Sequence, residues 1–137
     1  MPLPLPAIAP PDIILWATGH FRAALAARSE PVASSAFVSD EIPNPRRPAM
    51  VVIESDGGPR LDYLRSAQRL RFQVWGATKK DATDLALILY ALVAACPNGT
   101  PVCAVSNLAG PWRVADESDQ PKMFLTCELI VKGADLQ

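Results

Sequence analysis

Histidine is almost missing from this chain: His20 is the only one in 137 residues. The three cysteines, Cys96, Cys103 and Cys127, include no CxxC pair. With one imidazole and no paired thiols, a zinc site has no ligand set. The odd cysteine count and the apolar neighbours point to reduced, buried thiols in a cytosolic protein. A reactive thiol would need a base beside it, and no His or Lys lies close in sequence. Charge of one sign is lacking too: 13 Lys and Arg against 14 Asp and Glu give a net charge of −1. That balance implies no basic face and argues against sequence-reading nucleic-acid binding.

Other absences narrow the field further. No Lys or Arg precedes the first apolar stretch, so the N-terminus does not read as a signal peptide. Residues 85–112 are uncharged, but CPNGTP at 96–101 interrupts them, and the helical part is too short to span a bilayer. No GxSxG, no HExxH and no nucleophile beside a histidine occurs. Asp81 and Asp84 lie one helical turn apart but sit in a helix's first turn, where carboxylates are stabilising anyway. Asp116, Glu117 and Asp119 lack the ordered spacing of an EF-hand and read as a solvated loop. The expectation is no catalytic residue, no metal and no cofactor.

What is present is a folded chain, half hydrophobic and one-fifth charged, long enough for one domain. Its centre is Arg69 to Cys96. Leu70, Phe72 and Val74 alternate with Arg69, Arg71, Gln73 and Trp75, the period of a strand with one buried face. Gly76-Ala77 breaks the pattern, Thr78 caps a helix, and Asp81 sits three residues on in a variant of the capping box. Leu85, Ile88, Leu89, Leu92 and Cys96 form the core stripe, and Pro97-Asn98-Gly99 ends the helix. Leu87, Tyr90, Ala91 and Ala94 make a second face apolar. One small sheet covers only one side of a helix, so either another helix or another subunit must cover the second.

Ahead of this unit, residues 1–11 form a proline-rich arm that favours extended polyproline conformation, either a loose tail or an arm lying on a neighbour. Asp12 caps a helix over 13–28 with Ile14, Ala17, Phe21, Ala24 and Leu25 as its stripe, and His20 reads as a half-buried structural residue. Strands are expected over 32–42 and 49–54. A turn at Ser55-Asp56-Gly57-Gly58-Pro59-Arg60 follows, then Leu61 to Ala67 leading into the central strand. After the second helix come a strand at 102–108, a loop from Ala109-Gly110-Pro111 to Pro121, a strand over 122–132, and a frayed end from 134. The fold class is α+β, a single domain over 12–133 in the order α-β-β-β-α-β-β, with a mainly antiparallel or mixed sheet against two helices. Arg69 and Arg71 beside Trp75 form either an arginine-aromatic contact surface or a solvated sheet face.

The strand-helix string RLRFQVWGATKKDATDLALILYALVAA, the later GPW…D…QP loop and the closing MFLTCELIVKG strand resemble the tail terminator proteins of long-tailed bacteriophages, over roughly residues 12–133. The resemblance implies a structural virion protein with no reaction. It implies a hexameric ring that caps the tail tube, stops its polymerisation and meets the head-to-tail connector, with genomic DNA passing through the lumen without being read. The place of action would be the virion neck, after assembly in the host cytoplasm and away from any membrane. The contact residues expected are Arg69, Arg71, Trp75 and Tyr90, with Asp56, Gly57, Gly58 and Arg60 of the hairpin loop. Another neck or tail-completion protein is the neighbouring reading. A small α+β enzyme or ligand-binding domain is the rival from a different class, and it predicts a pocket of convergent polar groups.

Overall fold

The computed structural model describes residues 5–136. Along them run β1 (Ile8–Ala9), α1 (Ile13–Ala26), α2 (Pro31–Ser34), β2 (Phe37–Ser39), β3 (Met50–Gly57), β4 (Arg65–Trp75), α3 (Lys79–Ala94), β5 (Val102–Val114), β6 (Lys122–Lys132) and β7 (Ala134–Asp135). The main sheet has the order β2-β3-β4-β6-β5; β2 pairs parallel with β3, and every other neighbour is antiparallel. The chain is α+β, and stripped of the short β1, α2 and β7 its order is the expected α-β-β-β-α-β-β.

Both long helices lie on one face of that sheet. Leu70, Phe72 and Val74 of β4, Val51 and Ile53 of β3, and Leu125, Cys127, Leu129 and Val131 of β6 share one core with α1 and α3. The period of two explains this, because every second side chain of each strand falls on the helix side. From α1 come Ile13, Ala17, Phe21 and Leu25, and from α3 come Ala82, Leu85, Ala86, Leu89 and Val93. Phe21 meets Phe72 edge-on with ring centroids 5.6 Å apart. Both caps form as read: the Asp12 carboxylate accepts from the Leu15 amide at 3.1 Å, and the Thr78 hydroxyl accepts from the Asp81 amide at 3.1 Å. His20 is half-buried, stacked on Trp16 at 4.6 Å, and burial lowers its pKa.

Five local expectations are corrected. Residues 32–42 are not one strand: Pro31 occupies the first helical position of α2, where its fixed φ suits a helix start, and only Phe37–Ser39 pair with β3. Leu61 to Leu64 are not strand either, because the Asp62 carboxylate accepts from the Leu64 and Arg65 amides at 3.0 and 2.7 Å and turns the chain. The loop expected from Ala109 is instead the second half of β5. Its register shifts near Ser106, Ala109 and Trp112 are absorbed by Asn107 and Gly110 at positive φ, and Pro111 is tolerated because β5 is an edge strand. The end after Gly133 is not frayed: Ala134 and Asp135 pair with Ala9 and Ile8. At Ile8–Ala9 the arm pairs with its own chain, an arrangement that neither reading of it named, while its residues 1–4 fall outside the described residues.

Gly76 makes the β4-to-α3 turn possible, since a Cβ there would run into the backbone of Asp81 and Ala82. Gly76→Ala should lower unfolding free energy by about 1–3 kcal/mol, the cost of overpacking. Leu89→Ala should cost about 2–5 kcal/mol by opening a cavity under α3. Urea denaturation of each variant against the parent measures both.

Candidate protein-contact surface

The face of the sheet away from the helices carries the residues between the core positions. Across β3, β4 and β6 the pairing sets Glu54 beside Arg71 beside Thr126, and Arg69 beside Glu128. Arg71 reaches Asp56 at 3.1 Å and Glu54 at 3.6 Å, and Gln73 also donates to Glu54. Arg69 lies 3.7 Å from Glu128, which accepts from Asn107 of β5 as well. Arg69 and Arg71 thus stand together, as read, in a ladder of alternating charge. Neighbouring opposite charges pair with them, and each exposed pair adds about 0.2–1 kcal/mol. The buried Arg71 Nε has no hydrogen-bond partner among the described residues.

Trp75 is a correction. It lies on the outer face with the arginines, yet it is fully buried. Met50, Val52 and Phe37 pack with it. Lys122 and Arg46 stand over its ring at 4.9 and 5.7 Å. Two segments distant in sequence make this cover. Arg46, from the proline-rich connection, pairs with Asp116 at 2.7 Å, and Gln120 donates to the Arg47 carbonyl at 2.9 Å. Trp75 is therefore not available as contact surface, and it fixes two loops over the upper end of the sheet.

Asp56, Gly57, Gly58 and Arg60 do sit together. The β3–β4 register slips between Ser55 and Gly57, leaving Asp56 as a bulge beside Arg71, and Gly57 takes a φ of 67° that favours glycine. A Cβ on Gly58 would strike the Ala67 carbonyl. Arg60 lies over the Tyr63 ring at 5.4 Å and donates to the Asp62 and Tyr63 carbonyls. Beyond it Leu61 and Leu64 are exposed, a feature missed in the sequence because those residues read as strand. Tyr90 belongs to another surface, half-buried on α3. Around it Leu87 is 52% exposed and Ala91 and Ala94 are exposed, so α1 does not cover this second apolar face. Leu15 of α1, at 71%, lies bare on the same helix layer.

Among the described residues no group of three His, Cys, Asp or Glu could hold a metal ion, and no helix is long and apolar enough to cross a membrane. Burial pushes the Cys96 thiol up to about 11 and the Cys127 thiol to about 12, so neither supplies a thiolate near neutral pH. Cys103 is half-buried, with its thiol 3.6 Å from the Gly99 carbonyl. Protein-family models and characterised proteins give no match to this chain. The surface must therefore be read from its own chemistry.

The Asp116 carboxyl joins the two loops above Trp75. Burial raises its pKa, but hydrogen bonds from Ser118, the nearby Trp75 indole N–H and the Arg46 charge outweigh that and hold it below 3.8. The indole favours the ionised form by proximity, since it makes no hydrogen bond of ordinary geometry. A carboxyl lowered in the folded state stabilises the fold above its unfolded pKa, and that contribution fades as the pH falls through the folded value. Asp116→Asn should thus cost about 1–2 kcal/mol at neutral pH. The gap between parent and variant should close below pH 3.8, read from urea midpoints across an acid series.

Proposed function

We propose that this protein is a structural assembly subunit, a tail terminator of a long-tailed bacteriophage, acting by protein–protein contact without a reaction or cofactor. The observation that carries the assembly reading is bare apolar surface on several sides of one small domain. Leu15 and Leu87 lie on the helix layer, Leu61 and Leu64 on the β3–β4 loop, and Trp112 and Val114 on the edge strand β5. Scattered single leucines are normal on a monomer, but apolar residues grouped on separate elements fit a subunit with more than one neighbour.

The resemblance of the 69–95 and 123–133 segments to tail terminators gives this subunit its place. It forms a ring, a hexamer in that family, on the finished tail tube. One side of the ring stops tube growth and the other receives the head-to-tail connector protein. Genomic DNA crosses the lumen unread, which a net charge of −1 accommodates. The site of action is the neck of the virion, reached by assembly in the host cytoplasm. The charged ladder of Arg69, Arg71, Glu54 and Asp56 supplies a polar face that orients a neighbour more than it tightens binding.

Electron microscopy of particles assembled without this gene product tests the reading. Overlong tails of variable length, detached from filled heads, are the expected outcome. Tails of normal length that fail to join heads would move the protein to another neck position. Normal virions would overturn the structural role.

A further inference from the structure

We infer that two copies of this chain meet head to tail, the β3–β4 loop of one seating its leucines in a groove between α2 and α3 of the next. The inference rests on the assembly reading above and names the surfaces that meet. The groove is about 550 Å³, with Pro31, Val32, Leu87 and Ile88 making it apolar. Glu30, Asp81 and Asp84 line it as well, and past Pro31 and Val32 a second hollow of about 290 Å³ extends toward Ala49 and Ala77. Arg28 and Lys80 pair with Glu30 and Asp84 at its margin, so among the described residues the lining keeps one carboxylate, Asp81, without an ion-pair partner.

The loop has the opposite form and the opposite sign. Leu61 and Leu64 are 49% and 42% exposed on it; Arg65 and Lys132 line a hollow with Leu64, Arg60 adjoins Leu61 in the chain, and the one acid, Asp62, pairs with Arg65. The Asp62 turn and the Arg60 bonds to the loop carbonyls hold the loop backbone in shape before any contact, which lowers the ordering cost of binding. The two features cannot meet within one copy. The loop lies where β4 begins, at Arg65 opposite Lys132, while α3 starts beyond the far end of that strand, after Trp75 opposite Lys122. A knob and a groove toward opposite ends of one molecule make a heterologous contact, which closes into a ring when the rotation allows.

Disulfide trapping in a Cys103→Ser background tests it. Leu61→Cys chains are mixed at high concentration with Leu87→Cys chains, and separately with Leu15→Cys chains. All three leucines are exposed, so the substitutions leave the core intact. Coupling of Leu61→Cys to Leu87→Cys should run about tenfold or more faster than to Leu15→Cys, because a docked contact raises the effective concentration of the two thiols above that of free collision. Adding Asp81→Lys to the Leu87→Cys chain should remove that advantage. Equal rates with both partners, or no coupling to Leu87→Cys, would overturn the contact. Selective coupling alongside normal virions in the absence of the gene product would leave the contact standing and remove the tail-terminator role.

Discussion

The buried side of β4 is the constraint on which the rest of the molecule depends. β4 is the middle strand of five, and Leu70, Phe72 and Val74 project from it beneath both helices. Phe72 takes the edge of Phe21 from α1, while α3 follows β4 directly through the Gly76 turn and returns over β6 and β5. Each of these large side chains contributes about 1.5–3 kcal/mol by leaving water, so the strand and its two helices stabilise one another. β6 is then placed by pairing along the whole length of β4, from Arg65 opposite Lys132 to Trp75 opposite Lys122.

With one face of the sheet committed to the helices, the other becomes surface, and it is divided by how it is covered. Over Trp75, Arg46, Gln120 and Asp116 lock two loops into a lid that excludes water. In the middle, Glu54, Arg71 and Asp56 satisfy one another in the open. Toward the lower end the chain termini pair with each other, Gly133 allowing close approach to Ala9, and Tyr63 donates to the Pro6 carbonyl. Exposed apolar side chains sit where this internal cover stops, Leu61 and Leu64 on the 61–64 loop and Leu87 on the outer side of α3.

Much of this was legible in the sequence where a local rule governs. The alternation over 69–75 separated the two faces of the central strand correctly, because pleating fixes parity without reference to neighbours. Asp12 and Thr78 marked helix starts correctly, because a cap bonds to amides three residues away. The misses fall where distant segments decide. Trp75 had the right parity but the wrong exposure, since its lid comes from residues around 46 and 116–122. Residues 109–114 read as loop because Gly110-Pro111 breaks strands, and only the edge position of β5 makes the break tolerable. The C-terminal strand was unreadable because its two residues pair with Ile8 and Ala9 at the other end of the chain, far outside any local pattern.

The sequence by itself therefore determined the α+β class, the two long helices, the central and final strands, and which side chains of the central strand face the core. Those follow from periodicity and capping, which act over a few residues. Tertiary structure alone decided the sheet order β2-β3-β4-β6-β5, the insertion of β6 between β4 and β5, the burial of Trp75 and the exposure of Leu61, Leu64 and Leu87. Exposure is a property of what lies above a side chain, and in this fold the covering atoms come from chain positions that no local pattern links.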